Sequence, residues 1–320
     1  MRPRIWAAVL AVAVTAACGS TSPPPPSATV PPVEVRPAGA LDVSEAPTAG
    51  REDCDREASL RPGPLPAPGN MPPGSTMAAI AERGRLIVGV DQNTYLFGYR
   101  NPATGQLEGF DIDLARELAR RIFGDPDRID LRVVDAGQRV SALQSGLVDL
   151  VVRTYSITCE RKDDVAFSTV YFLANQRILA PKGSGIDSVA ALGDKRVCAV
   201  SGTTSLSTLF ALDPRPTLVG AKTWTDCLLM LQQDQVDAIS TDDVVLAGLA
   251  AQDPTVEVVG ASLGVEPYGV GIKKGNDDLI RFVNGALEQL RVDGTWQRLY
   301  DTWLRGLGPS PGPPAPRYED

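Results

Sequence analysis

The apolar positions of this chain change period repeatedly, and each change marks an element. Residues 85–90 (RLIVGV) are a short apolar run bounded by charge and then by polar residues, the pattern of a strand buried on both faces. After a turn over 101–105, Phe110, Leu114, Leu118 and Ile122 recur at helical spacing and predict an amphipathic helix. Residues 131–134 read as a second strand. Val140, Leu143 and Leu147 mark a second helix, which runs into a third strand over 148–152. The alternation implies a parallel sheet covered on both faces.

The pattern then returns, with strands at 196–200, 217–219 and 236–240 and helices at 206–212 and 227–231. Leu143-Gln144 followed by VDLV at 148–151 matches Leu231-Gln232 followed by VDAI at 236–239. Two similar lobes explain the echo, and so does the general likeness of helix–turn–strand units. Residues 175–181 (NQRILAP) and 268–273 (YGVGIK) are extended in character, and helical segments follow at 278–292 and 295–304. If those helices pack back on the first lobe, two strands cross between the lobes and form a hinge that permits closure.

The ends differ from this body. Arg2 and Arg4 precede an apolar run over 5–17 and then Cys18, which reads as a secretory signal. The run is shorter than the roughly 20 apolar residues a bilayer span needs. Thr15-Ala16-Ala17-Cys18 resembles a bacterial lipobox, with threonine where leucine is commoner, and implies lipidation of Cys18. Residues 19–77 and 307–320 are rich in Pro, Ser, Thr, Ala and Gly without apolar periodicity, and read as a tether and a tail. The expected layout is 1–18 signal and lipobox, 19–77 tether, 78–177 with 270–306 first lobe, 178–269 second lobe and 307–320 tail.

Composition narrows the function. A net charge of −8, from 39 acidic and 31 basic residues, argues against nucleic acid or an anionic membrane surface as partner. Histidine is absent, which removes Ser–His triads, Cys–His pairs and histidine metal sites; no metal and no cofactor is expected. Beyond Cys18, the cysteines are Cys54, Cys159, Cys198 and Cys227, an even set in a secreted chain. Three pairings are open. Closeness in sequence favours Cys198–Cys227, which leaves Cys54 for Cys159.

In open α/β sheets ligands bind beyond the carboxyl ends of the strands, so the residues following each strand carry the chemistry. Arg161 offers a planar fork for a carboxylate, with Ser156 and Thr158 beside it. Residues 201–205 (SGTTS) form a glycine-containing turn into a helix, whose N–H groups suit an anion. Asp242, with Asp91 as a second choice, suits an ammonium group. Duller placements compete: Arg161 as a solvated charge, Asp242 or Asp243 as a helix cap, and Tyr95, Phe97 and Tyr99 as core rather than a ligand wall.

Residues 109–114 (GFDIDL), followed by Leu118, Ala119 and Ile122, resemble the signature of family 3 extracellular solute-binding proteins. The likeness extends from about residue 85 to 304 and takes in SITCERKDDVAFS, SGTTS and STDD; it is nearest the actinobacterial GlnH-type glutamine/glutamate-binding lipoproteins. It implies a two-lobe α/β fold of the periplasmic binding protein type II kind with two hinge strands. It also implies reversible, non-enzymatic binding of a polar amino acid. By position Arg161 matches the arginine on the α-carboxylate and Asp242 the aspartate on the α-ammonium. Ser156 and Thr204 match their hydrogen-bonding partners, and Asp91 a further pocket position, with Phe97 and Thr203 completing the expected site.

Departures bear on specificity. Thr94 and Ala136 stand where glutamine binders stack an aromatic ring, and Val200 where the family has a lysine. Arg153 replaces a small residue; as an extra guanidinium at the pocket it favours glutamate or aspartate over the amides, because a carboxylate buried without a cation is costly. The expected partners are a free amino acid and a membrane permease or, alternatively, a membrane sensor. The protein is expected to act as a monomer outside the cytoplasm, held at the membrane only by its lipid. A dehydratase-like enzyme on the same fold is the rival from another class.

Overall fold

The computed structural model describes residues 35–45 and 53–319. The signal segment, Cys18 and the tether residues 19–34 and 46–52 lie outside the described residues. Described strands, in chain order, are β1 (Leu41–Asp42), β2 (Ala58–Ser59), β3 (Leu86–Val90), β4 (Asn93–Thr94), β5 (Gly98–Arg100), β6 (Leu107–Glu108), β7 (Ile129–Val133), β8 (Leu150–Val151), β9 (Ala166–Phe167), β10 (Phe172–Pro181), β11 (Arg196–Val200), β12 (Thr217–Ala221), β13 (Ala238–Asp242), β14 (Val256–Tyr268), β15 (Gly271–Ile272) and β16 (Arg317–Tyr318). The α-helices are α1 (Thr76–Arg83), α2 (Phe110–Phe123), α3 (Arg139–Gln144), α4 (Cys159–Asp164), α5 (Thr204–Phe210), α6 (Trp224–Gln232), α7 (Asp243–Ala250), α8 (Asp277–Val292) and α9 (Thr295–Trp303).

Two sheets organise two lobes. The first has the order β7-β3-β8-β15-β9, and the second β1-β12-β11-β13-β10-β14. Both have a parallel heart, β7-β3-β8 in one and β12-β11-β13 in the other. Neither is wholly parallel, as the strand–helix alternation had implied: β15 runs antiparallel to β8 and β9, and β10 runs antiparallel to β13 and β14. The reason is topological. The chain enters the second lobe on β10 and leaves on β14, so these two strands oppose each other.

The crossing is hydrogen-bonded. Tyr171 N donates to Tyr268 O at 2.9 Å and Ser168 N to Val270 O at 3.0 Å. The second sheet's pairing begins at Phe172, opposite Tyr268, earlier than the expected boundary at 178.

The signature segment shows why its residues are what they are. Gly109 adopts φ +132°, and a Cβ there would lie 2.2 Å from Phe97 O, so only glycine lets the chain turn into α2. That helix then buries Phe110, Ile112, Leu114, Leu118 and Ile122 and stops at Gly124, which takes the left-handed conformation. Each buried leucine contributes about 2 kcal/mol.

The Pro-rich ends differ from the tether and tail expected of them. Their described parts pack on the body: β2 pairs in parallel with β16, and β1 adds an antiparallel edge strand to β12. Pro-rich composition suppresses periodicity but leaves carbonyls free to accept, and the folded body supplies the donors. Asn284 Nδ2 donates to Leu60 O at 2.7 Å, and Arg291 Nε to Pro314 O at 3.0 Å. Disulfides join Cys54 to Cys159 and Cys198 to Cys227.

Candidate functional site

The loops after the parallel strands converge between the lobes. Arg139, Arg153, Ser156 and Arg161 come from the first lobe, and Thr203, Thr204, Ser205, Trp224, Thr241 and Asp242 from the second; all line one cavity. Its volume is about 10 Å³, room for a single water. A groove of about 640 Å³ adjoins it, walled by Arg139, Arg161, Gly202, Thr204 and Glu266.

Arg161 sits in α4, whose N-terminus is capped by Thr158: the Thr158 hydroxyl accepts from Arg161 N at 3.1 Å. Its guanidinium donates from Nη1 to Ser156 O at 2.7 Å and, across the cleft, from Nη2 to Gly202 O at 3.1 Å. Arg139 Nη2 donates to the same Gly202 carbonyl at 3.1 Å, and its Nε to Ala136 O at 2.8 Å. Both guanidiniums lie over the Tyr155 ring, at 4.1 Å for Arg139 and 5.1 Å for Arg161. Burial, with the neighbouring Arg161 charge, holds the Arg139 guanidinium well below its ordinary pKa. Gly202 is glycine for a reason: at φ +77°, a Cβ would lie 2.8 Å from Gly137 Cα on the opposite lobe.

Arg153 is buried and paired, Nη2 lying 3.0 Å from Asp91 Oδ2. Asp91 is saturated, accepting from Gln92 N, Asn93 N and Thr94 Oγ1 as well. Asp91 therefore stands behind Arg153 and does not line the cavity. Arg153 Nε is buried without a partner.

On the second lobe, Asp242 ends β13. Tyr268 Oη donates a short hydrogen bond to its Oδ2, while Oδ1 is buried without a partner. Burial, and then the negative charge of Glu266, push the Asp242 carboxyl well above the usual range. Thr204 Oγ1 donates to Glu266 Oε2 at 2.9 Å. Thr203 is committed to the backbone: it caps α5 through Leu206 N and donates to Val200 O at 2.7 Å.

The signature aspartate supports this arrangement from behind. Asp111 accepts from Thr154 N at 2.7 Å and Tyr171 Oη at 2.8 Å. Thr154 has φ +37°, a left-handed turn that its bond to Asp111 helps hold between Arg153 and Ser156. Burial pushes the Asp111 carboxyl up to about 7.

Of the expected site residues, Arg153, Ser156, Arg161, Thr203, Thr204 and Asp242 come together. Phe97 does not: it is fully buried against Phe110, Phe172 and Tyr268, an aromatic core position beneath the crossing strands. Arg139 and Trp224 were missed. Each lies beyond the carboxyl end of a strand, β7 and β12 respectively.

Guanidiniums on one wall, carboxylates on the other, and a two-segment crossing between the sheets define a two-lobe solute-binding protein. The chain belongs to the bacterial extracellular solute-binding proteins, family 3, which it matches over residues 86–306; membership places it outside the cytoplasm, among binding proteins rather than enzymes. It is 37% identical over 231 residues to the ABC transporter glutamine-binding protein GlnH of Bacillus subtilis, covering 72% of this chain and 85% of that one. It is 32% identical over 249 residues to the glutamate-binding protein GluB of Corynebacterium glutamicum, covering 73% and 83%. Among solved structures, the solute receptor for L-cysteine of Neisseria gonorrhoeae superposes with a TM-score of 0.71 at 30% identity, over 74% of this chain and 98% of that one.

Proposed function

We propose that the protein binds a free amino acid between its lobes and delivers it to an ABC permease, while a lipid on Cys18 holds it at the outer face of the membrane. The α-carboxylate lies on Arg161, with Ser156 and Thr204 beside it, and the α-ammonium on Asp242. The observation that carries this reading is Asp242 Oδ1, a buried acceptor without a partner, on the same cavity as Arg139 and Arg161. A buried carboxyl oxygen left without a partner is costly, and an ammonium supplies that partner.

Glutamate and aspartate rank above glutamine and asparagine, for a reason that differs from the sequence argument. Arg153 already has Asp91 as its counter-ion. Arg139 has only carbonyls as hydrogen-bond acceptors, so it is the cation that a side-chain carboxylate neutralises. Relatives that bear glutamine and glutamate in their names fit both ligand classes.

Mass spectrometry of small molecules released from the denatured protein identifies the ligand, and calorimetry with the four amino acids ranks them. Glutamate or aspartate should lead in the wild type, and Arg139→Ala should narrow that lead more than Arg153→Ala. The reading fails if Arg161→Ala and Asp242→Asn both bind as tightly as the wild type. Mass spectrometry of the membrane-extracted protein tests the anchor, and loss of labelled amino-acid uptake on deletion tests delivery.

A further inference from the structure

We infer that the two chain ends, which lie outside the family-matched residues 86–306, position the arginine that grips the ligand carboxylate; this inference rests on the reading of Arg161 given above. The reasoning starts from α4. It has six residues, under two turns, and a helix so short has no stability of its own. Its direction, and with it that of Arg161, is set by what is attached to it.

Within the family-matched region, Thr158 caps its start and Lys274 Nζ donates to Lys162 O and Asp163 O at its end, at 3.0 and 2.8 Å. Gln144 Nε2 adds a longer bond to Asp164 O at 3.4 Å, and Arg161 itself holds Ser156 O and Gly202 O. Further attachments come from the chain ends. Cys159 is bonded to Cys54. Lys162 Nζ donates to Asp55 O at 3.0 Å, Ala58 O at 2.9 Å and Glu319 Oε1 at 3.1 Å, which uses all three of its protons.

The chain ends are themselves fixed. Beyond the β2–β16 pairing, Ser59 Oγ donates to Phe167 O at 2.7 Å, Glu319 N to Ser59 O at 3.0 Å, and Arg317 pairs with Asp55 at 2.7 Å. Arg56, between these anchors, reaches the groove beside Arg139 and Arg161. Successive helical residues are about 100° apart, so Lys162 holds the strap while the adjacent Arg161 turns into the cleft. Releasing the Lys162 side lets α4 rotate and carries the guanidinium off its line. Cys54, Lys162 and Glu319 are thus positioning residues for the carboxylate clamp.

The test uses the full chain, with L-glutamate and isoglutamine, its α-amide, as probes. Cys54→Ser/Cys159→Ser and Lys162→Met should each weaken L-glutamate by about tenfold, the scale of one charge-assisted hydrogen bond lost or misaligned. Isoglutamine, lacking the α-carboxylate, should change by less than about twofold, and Lys162→Arg should restore glutamate affinity. Lys162→Met keeps the disulfide, so it serves if the double variant does not fold. A lowered melting temperature with the glutamate-to-isoglutamine ratio unchanged overturns the inference and leaves the chain ends as stabilisers alone. Arg161→Ala is measured alongside. If it weakens glutamate while the strap variants do not, only this inference falls; if it leaves glutamate untouched, the binding reading falls and takes the inference with it.

Discussion

If the ligand ammonium meets Asp242 as proposed, binding is a proton-coupled event whose sign follows from the surroundings of that carboxyl. It is buried, repelled by Glu266 and Asp243, and steadied on one oxygen by Tyr268, with Arg139 a more distant source of attraction. Its pKa in the free protein is therefore high, and it holds a proton well above the pH at which an exposed aspartate loses one. An ammonium placed on Oδ1 reverses this. The opposite charge favours the ionised form and lowers the pKa of the complex below that of the free protein.

Binding then expels one proton wherever the pH lies between the lowered pKa of the complex and the raised pKa of the free protein. In that window Kd tightens by up to about tenfold per pH unit, and it levels off above the free-protein pKa. Calorimetry with L-glutamate between about pH 5 and pH 8, in buffers of different ionisation enthalpy, counts the proton directly. Asp242→Asn should abolish the coupling and weaken binding by about 3–5 kcal/mol, a hundredfold or more, because the ammonium then lacks its counter-ion. Asp111→Asn, which changes a second buried carboxyl that does not itself line the cavity, should keep the coupling. No proton release and a flat Kd in the wild type would refute the argument.

The Asp111 carboxyl, pushed up to about 7, stabilises the fold in its protonated form. That contribution is full below about pH 4 and is lost as pH rises through 7, so the gap between wild type and Asp111→Asn should shift by on the order of 4 kcal/mol towards the variant between pH 4 and 8, read from urea melts. Phe97→Ala should cost about 3–5 kcal/mol of stability by chemical denaturation while the folded fraction binds glutamate as the wild type does; a selective loss of affinity would return Phe97 to the pocket. Cys198→Ser/Cys227→Ser opens a loop of 29 residues and should cost about 3–4 kcal/mol, seen as a lower urea midpoint.

Long periodic elements were legible because one face of each is buried without interruption. The spacing of Phe110, Leu114, Leu118 and Ile122 anticipates α2, and the apolar run at 196–200 is β11. β14 was not anticipated: its 13 residues include Gly260, Gly264 and Pro267, and much of it is exposed, so it shows no apolar run. β1, β2 and β16, with two residues each, are too short to carry a pattern and exist only through their partners.

That Arg161 and Asp242 would line one cavity was legible because each lies beyond the carboxyl end of a strand. The part played by Arg153 was not, because its pairing with Asp91 is a matter of side-chain reach. Phe97 was misplaced because alternation in 95–99 describes a pocket wall and a core strand equally well. Arg139 lies on a helix whose apolar face carries the signal, and nothing in the spacing singles it out.

Tyr268 joins two roles that most side chains keep apart. Its backbone carbonyl accepts from Tyr171 at the pivot, while its hydroxyl holds the carboxylate proposed to meet the ligand. Occupancy is thus registered at the axle of the molecule as well as in its jaws. The strands beside that axle carry exposed Leu173 and Val265. A solvatochromic dye attached at either place would turn the protein into an optical gauge of its ligand without touching a residue that lines the cleft.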